Sequence, residues 1–108
     1  MGTNPYFYIC SMRVVSKNTL RKFWINHPDC EQALKAWHRD VETHEWKTIN
    51  DIKRRYPSSS ILEDNRLVFN IKGNNYRLVV KFNLSYRIAW IRFIGTHKEY
   101  DKINANTI

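Results

Sequence analysis

The residues best suited to chemistry stand close together near the end of the chain, in Gly95-Thr96-His97-Lys98-Glu99-Tyr100-Asp101. This string sets a proton-transfer candidate, a cation, carboxylates and a phenol side by side. Histidine ordinarily titrates near ~6.5, so His97 is suited to general acid–base work around neutrality. A histidine taken alone is more often structural than catalytic. The company that His97 keeps, just after a run of basic strands, is what marks it.

Those strands begin at Arg66, where the hydrophobic period becomes two. Leu67, Phe69 and Ile71 alternate with Arg66, Val68 and Asn70; Leu78, Val80 and Phe82 with Arg77, Val79 and Lys81; Ala89, Ile91 and Phe93 with Ile88, Trp90 and Arg92. The first set predicts an all-apolar face, and the second gathers Arg66, Asn70, Arg77, Lys81 and Arg92. Between Asp64 and His97 there are six basic residues and no acidic one. Surface charge normally comes in both signs, so a single sign points to an anion, although a solvated outer face with incidental cations would read the same way. Arginine offers planar, bidentate donors to phosphate and stays charged. Trp90, Tyr76 and Tyr86 lie among these cations, the mixture that single-stranded RNA binding uses. Core or turn packing accounts for Trp90 equally well.

Several elements must position these groups. Met12-Arg13-Val14-Val15 reads as a first strand. A helix follows, with Ser16 as N-cap and Leu20, Phe23 and Trp24 on one face. His27-Pro28 ends it. Asp29 is placed to cap a second helix, with Gln32 completing a capping box and Cys30, Leu34, Trp37 and Val41 as its stripe. Thr48 opens a short third helix with Ile49, Ile52 and Tyr56 inward, closed by Pro57 and a Ser58-Ser59-Ser60 loop. Turns at Lys72-Gly73-Asn74-Asn75 and Asn83–Tyr86 join three strands of an antiparallel meander, and a polar tail runs from Thr96. The pattern predicts an α+β domain, an N-terminal strand and three helices on one face of an antiparallel sheet. Residues 1–11, which carry no charge, read as a leader, an upstream start or a cloning remnant, and 12–108 as the single domain. The other reading makes Tyr6-Phe7-Tyr8-Ile9 an added edge strand.

Composition narrows the classes. The 108 residues hold 43% apolar and 14% aromatic side chains, enough for one modest core and too many for a disordered chain. A net charge of +8 favours a polyanionic partner, nucleic acid or an acidic protein. No apolar run is long enough to cross a bilayer, and no secretory signal is evident, so the expected location is the cytoplasm. Two cysteines, Cys10 and Cys30, make no disulfide scaffold. His38 and His44 are six residues apart, off one helical face, so no metal site is expected. There is no phosphate-binding glycine loop and no nucleophile elbow. The second helix is acidic, at Glu31, Asp40, Glu42 and Glu45, and suits core packing better than a DNA groove.

Three stretches carry a family resemblance: Met12-Arg13-Val14-Val15; Val68-Phe69-Asn70-Ile71-x-Gly73-Asn74-x-x-Arg77-Leu78-Val79-Val80; and Ile91-Arg92-x-x-Gly95-Thr96-His97-Lys98-Glu99-Tyr100-Asp101. Together they resemble the HigB family of type II toxins, within the RelE-like messenger-RNA interferases, over residues 12–108. The resemblance implies a RelE-like fold and an endoribonuclease that cleaves messenger RNA, usually on the ribosome, with neither metal nor cofactor. A ribose 2′-OH would attack the adjacent phosphate. The implied partner is a HigA-like helix-turn-helix antitoxin, through which alone the toxin would meet DNA.

Carried onto this chain, the resemblance makes His97 the first candidate for base or acid. Tyr100 becomes a second proton carrier or a stacking platform, and Arg77 and Arg92 the holders of the scissile phosphate. Lys98 would neutralise the leaving oxygen or lower the pKa of His97. Asn70 and Asn74 would position substrate, their other reading being strand and turn hydrogen bonding, which is favoured for Asn74; Arg66, Lys72, Lys81 and Trp90 would complete the RNA-binding set. Glu99 and Asp101 orient their neighbours. Members of the superfamily differ in their catalytic sets, and this motif holds a single histidine. The rival reading is a non-catalytic basic module that binds RNA or the ribosome and has no need of His97 or Tyr100.

Overall fold

The computed structural model describes residues 12–108, so the readings of residues 1–11 lie outside the described residues. Helix α1 (Lys17–Asn26) buries Leu20 and packs Phe23 and Trp24 beside it. Pro28, which has no N–H to donate, ends it and opens a single 3-10 turn at Pro28–Cys30. Helix α2 (Glu31–Thr43) turns Leu34, Trp37 and Val41 inward, the spacing of one helical face. Helix α3 (Ile49–Arg55) begins with a full capping box. The Thr48 hydroxyl accepts from the Asp51 N–H at 3.2 Å, and the Asp51 carboxylate accepts from the Thr48 N–H at 3.0 Å. A cap of this kind contributes about 1 kcal/mol.

Two expected caps form differently. Ser16 stands at the N-cap of α1, but its side chain makes no capping bond. Asp29 does not cap α2; it lies in the 3-10 turn, and Cys30 takes the N-cap position. The Asp29 carboxylate accepts instead from the Tyr76 hydroxyl at 2.6 Å. A short bond to a charged acceptor, joining residues far apart in sequence, has displaced the local one.

The sheet has five strands: β1 (Arg13–Val15), β2 (Ser60–Ile61), β3 (Arg66–Ile71), β4 (Tyr76–Asn83) and β5 (Ile88–Thr96), in the order β1-β5-β4-β3-β2. The α+β class holds, with two corrections. β1 runs parallel to β5, so the sheet is mixed rather than wholly antiparallel. The serine loop also contributes β2, a two-residue strand pairing with Leu67 and Val68. One face carries the main core, in which Leu20, Leu34, Trp37, Val41 and Ile52 meet Leu67, Phe69, Leu78, Val80, Phe82 and Ala89.

A β-bulge overturns part of the face assignment. Val80 pairs with Ile91 and Val79 with Phe93, which leaves Arg92 as the extra residue on β5. Beyond it the parity reverses, so Phe93 points away from the helices and Ile94 takes the place expected for Phe93. The second face is not a bare cationic surface either. Val68 and Val79 form a second small core with Ala105, flanked by Leu62, Phe93, Tyr100, Ile103 and Ile108. The chain after Thr96, expected to be a polar tail, supplies this cover, starting with the one-turn helix α4 (His97–Tyr100).

Candidate active site

At the end of β5, Thr96 caps α4 through a second reciprocal box. Its hydroxyl accepts from the Glu99 N–H at 3.2 Å, and the Glu99 carboxylate accepts from the Thr96 N–H at 2.8 Å. The Thr96 backbone bond holds Glu99 below the usual carboxylate range against the opposing effect of desolvation, helped by the Thr96 hydroxyl and the charges of His27 and Lys102. Glu99 is thereby committed to shaping the turn. Gly95 makes room for it: a β-carbon there would stand 2.6 Å from the Phe93 ring and 2.9 Å from Glu99 Oε1.

The N–H of His97 donates to the carbonyl of Asn75 at 3.3 Å, which fastens α4 to the β3–β4 turn. His97 Nδ1 stands 3.8 Å from Asp101 Oδ2, with the imidazole 51% exposed. Tyr100 is one helical turn on, half-buried, its ring 6.3 Å from that of Phe93. Arg77 lies opposite Gly95 in the β4–β5 register. One of its terminal nitrogens donates to the carbonyls of Asn74 (2.9 Å) and Tyr76 (3.3 Å), which aims the guanidinium back along the turn. Lys98 is exposed, as is Arg92 at the bulge, and no acid pairs with either among the described residues. His97 and Lys98 thus stand at the same end of the sheet as Arg77 and Asn74, while Arg92 lies at the bulge, five residues before His97.

The other sequence-derived residues lie elsewhere. Trp90 is near the opposite end of β5, about 23 Å from His97 at ~3.3 Å per strand residue. It faces Lys81, whose ammonium is 2.8 Å from Asp64. Arg66 is only 8% exposed; its guanidinium donates to the Ile108 carbonyl at 2.7 Å and pairs with Asp64 at 3.5 Å. Arg66 therefore ties the second face together. Asn70 and Lys72 border a groove on the far side of the β3–β4 turn, together with Trp37 and Arg55.

Two residues near the site, His27 and Tyr76, carry no signal in local spacing. His27 stacks on Phe23 (4.1 Å between centroids) and meets Tyr76 edge-on at 5.5 Å. Tyr76 in turn holds Asp29, and that bond, with burial, raises its phenol to about 12. The tertiary fold alone brings the end of α1 to the start of β4. Cys30 is no nucleophile: burial, with the negative charge of Asp29, pushes its thiol up to about 11. No group of three or more metal-ligating side chains forms among the described residues, and no helix there is long and apolar enough to cross a membrane.

Residues 30–103 match the family HigB_toxin, described as the RelE-like toxic component of a toxin–antitoxin system. The chain is similar to the "mRNA interferase toxin HigB" of Escherichia coli K12, 27% identical over 96 residues that cover 87% of this chain and 92% of the relative. It is also similar to the "mRNA interferase HigB" of Escherichia coli O6:H1, 22% identical over 94 residues covering 85% and 91%. The Shigella flexneri protein of the same name is 27% identical over 96 residues. The family match spans more than half of the chain, from α2 through the basic hairpin to the whole of α4, and on that ground the chain belongs to the HigB family, the RelE-like toxic component of toxin–antitoxin systems.

Proposed function

We propose that this chain is an endoribonuclease that cleaves messenger RNA on the translating ribosome, without a metal, and that a HigA-like helix-turn-helix antitoxin restrains it in the cytoplasm. The observation that carries the reading is the half-exposed His97, with Asp101 3.8 Å from Nδ1, on the helix that follows Gly95, the β5 residue opposite Arg77 in the register. His97 takes the proton of a ribose 2′-OH through a ring nitrogen. The freed 2′ oxygen attacks the adjacent phosphorus, and the bond to the 5′ oxygen breaks. Tyr100, three residues on along the same turn, returns a proton to that oxygen. The products are a 2′,3′-cyclic phosphate, opening to the 3′-phosphate, and a 5′-OH.

Arg77 and Arg92 hold the phosphate and offset the charge that develops on its oxygens, and Lys98 stands by the leaving group. Asn74, through its carbonyl, keeps Arg77 in place. Trp90 and Lys81, at the far end of β5, contact RNA or ribosome away from the reaction. The test maps RNA 5′ ends soon after the protein is induced in bacterial cells, beside a His97→Ala, Tyr100→Phe double variant. New 5′-OH ends inside translated messages, absent with the variant, are expected. No new ends from the folded wild-type protein would make it a binding module instead.

A further inference from the structure

Helix α1 carries Lys17, Arg21 and Lys22 and no acidic residue. Beside α2 it bounds a groove of about 260 Å³. Leu20, 1% exposed, lies at its bottom with the half-buried Trp24, and Lys17, Arg21, Lys35 and His38 surround them. No acid is among the residues that line it.

The cations of the groove are not equivalent. Lys35 is already engaged: its ammonium is 2.6 Å from Glu31 and 5.4 Å from the centre of the Trp24 ring. His38 has Glu42 at 3.3 Å. Lys17 and Arg21, exposed and one helical turn apart, pair with no acid among the described residues. Ile25, one turn further along the same ridge, is 65% exposed, more than any other large aliphatic side chain described. An isolated surface isoleucine needs no explanation. One that continues a ridge of unpaired cations at the edge of an apolar groove points to a partner.

These features separate the ligands that a basic groove could take. A nucleobase needs an open ring face, but Trp24 lies under the Lys35 ammonium and packs against the core. A small anion would use Lys17 and Arg21 and leave the apolar residues idle. A second copy of the chain would bring its own charge of +8 toward the groove. An acidic amphipathic helix meets every feature, as one helix laid in the furrow between two others. The family supplies a protein partner, since it is the toxic component of a toxin–antitoxin system.

We propose that the furrow between α1 and α2 receives an acidic helical segment of the antitoxin. Its carboxylates meet Lys17 and Arg21, and its apolar side chains cover Leu20, Trp24 and Ile25; the identity of the occupant rests on the antitoxin reading above. The helices cover the main core, whereas Arg77 alternates in step with Val79 on the other side of the sheet. A segment docked in the furrow therefore leaves the Arg77 side of the sheet open to RNA.

The test uses the full chain and two probes. One is a fluorescent helical peptide of about 15 residues, built of Glu and Ala with Leu along one face. The other is the antitoxin encoded with this chain, co-expressed and co-purified. The double variant Lys17→Glu, Arg21→Glu reverses both groove cations at exposed positions. The double variant Lys47→Glu, Lys102→Glu makes the same change of net charge at exposed positions elsewhere. Thermal melts check that both fold. The groove variant is expected to bind the peptide at least about tenfold more weakly and to lose the antitoxin, while the control variant matches the wild type. Equal losses in the two variants would overturn the assignment, because net charge alone would then account for binding. So would wild-type capture of the antitoxin by the groove variant, or failure of the wild type to bind either probe. Displacement of the peptide by a short 2′-O-methyl RNA, which cannot be cut, would make the furrow an RNA surface instead. None of these readouts needs cleavage, so a wild type that cuts no RNA refutes the ribonuclease reading and leaves the furrow under test.

Discussion

The carboxylate of Glu99 closes over the α-carbon of Gly95, its Oε1 standing 2.9 Å from where a β-carbon would be. The same oxygen accepts from the Thr96 N–H, so the shape of the helix that carries His97 depends on a side chain that Gly95 does not have. Adding a methyl group there forces either the Phe93 ring or the cap to move. Gly95→Ala is expected to cost about 1–3 kcal/mol of stability, the usual range for overpacking, and to reduce cleavage by displacing His97. Urea melts and RNA cleavage assays on the purified variant check both effects.

The cations divide into two groups with opposite expected phenotypes. Arg77→Ala and Arg92→Ala should lower cleavage by about 100-fold or more and leave the melting temperature unchanged. Arg66→Ala should do the reverse, because it strands the Ile108 carbonyl and frees the second small core, at a cost of about 1–3 kcal/mol. Melting curves and single-turnover cleavage, measured on the same preparations, separate the two. Near-normal cleavage by both Arg77→Ala and Arg92→Ala would sink the phosphate assignment.

Asp40 joins α2 to α3. Burial works to raise its pKa, but hydrogen bonds from Arg55 and Tyr56, with the charge of His44, prevail and hold it below the usual carboxylate range. A group whose folded pKa is lowered contributes its full stabilisation above its unfolded value of ~3.9 and loses it as pH falls through the folded value. Asp40→Asn should therefore destabilise the protein at about pH 7, by about 1–2 kcal/mol given that Arg55 is half exposed, and match the wild type near pH 2. Denaturant midpoints across the acid range test this. A gap between the two proteins that persists in strong acid would show that shape, and not charge, holds the helices together.

Cys30 should resist alkylation in the native protein, because its Sγ is fully buried and its thiol titrates near 11. Iodoacetamide at neutral pH, followed by peptide mapping, is expected to leave Cys30 unmodified until urea unfolds the chain. Rapid native labelling at that position would mean that the start of α2 opens readily.

What the sequence made legible was whatever repeats within a few residues. The stripes Leu20-Phe23-Trp24 and Leu34-Trp37-Val41 and the box at Thr48 form as their spacing dictates. So does the two-residue period of β3 and β4. The failures came where a contact distant in sequence overruled a local preference. Asp29 bonds to Tyr76 rather than capping its own helix. Arg66 and Lys81 share Asp64, just ahead of the run that contains no acid. The string around His97 was legible as a set of residue types. Its anchoring by Asn75, and the separation of Trp90 from it, depend on the order of the strands.

The extra residue at Arg92 sets the phase of everything after it. Along β5, each side chain before the bulge faces the side that its position in the alternation dictates; each one after it faces the opposite side. Losing one residue at this point would bring the strand back into step and exchange its two sides, turning Phe93 toward the helices and Ile94 toward the second small core. Gly95 and Thr96 would exchange sides as well, and α4 would leave the sheet on the side of the main core. Single-residue insertions and deletions on β5 therefore act as inversions of the site, whereas substitutions at the same positions act only as changes of side chain.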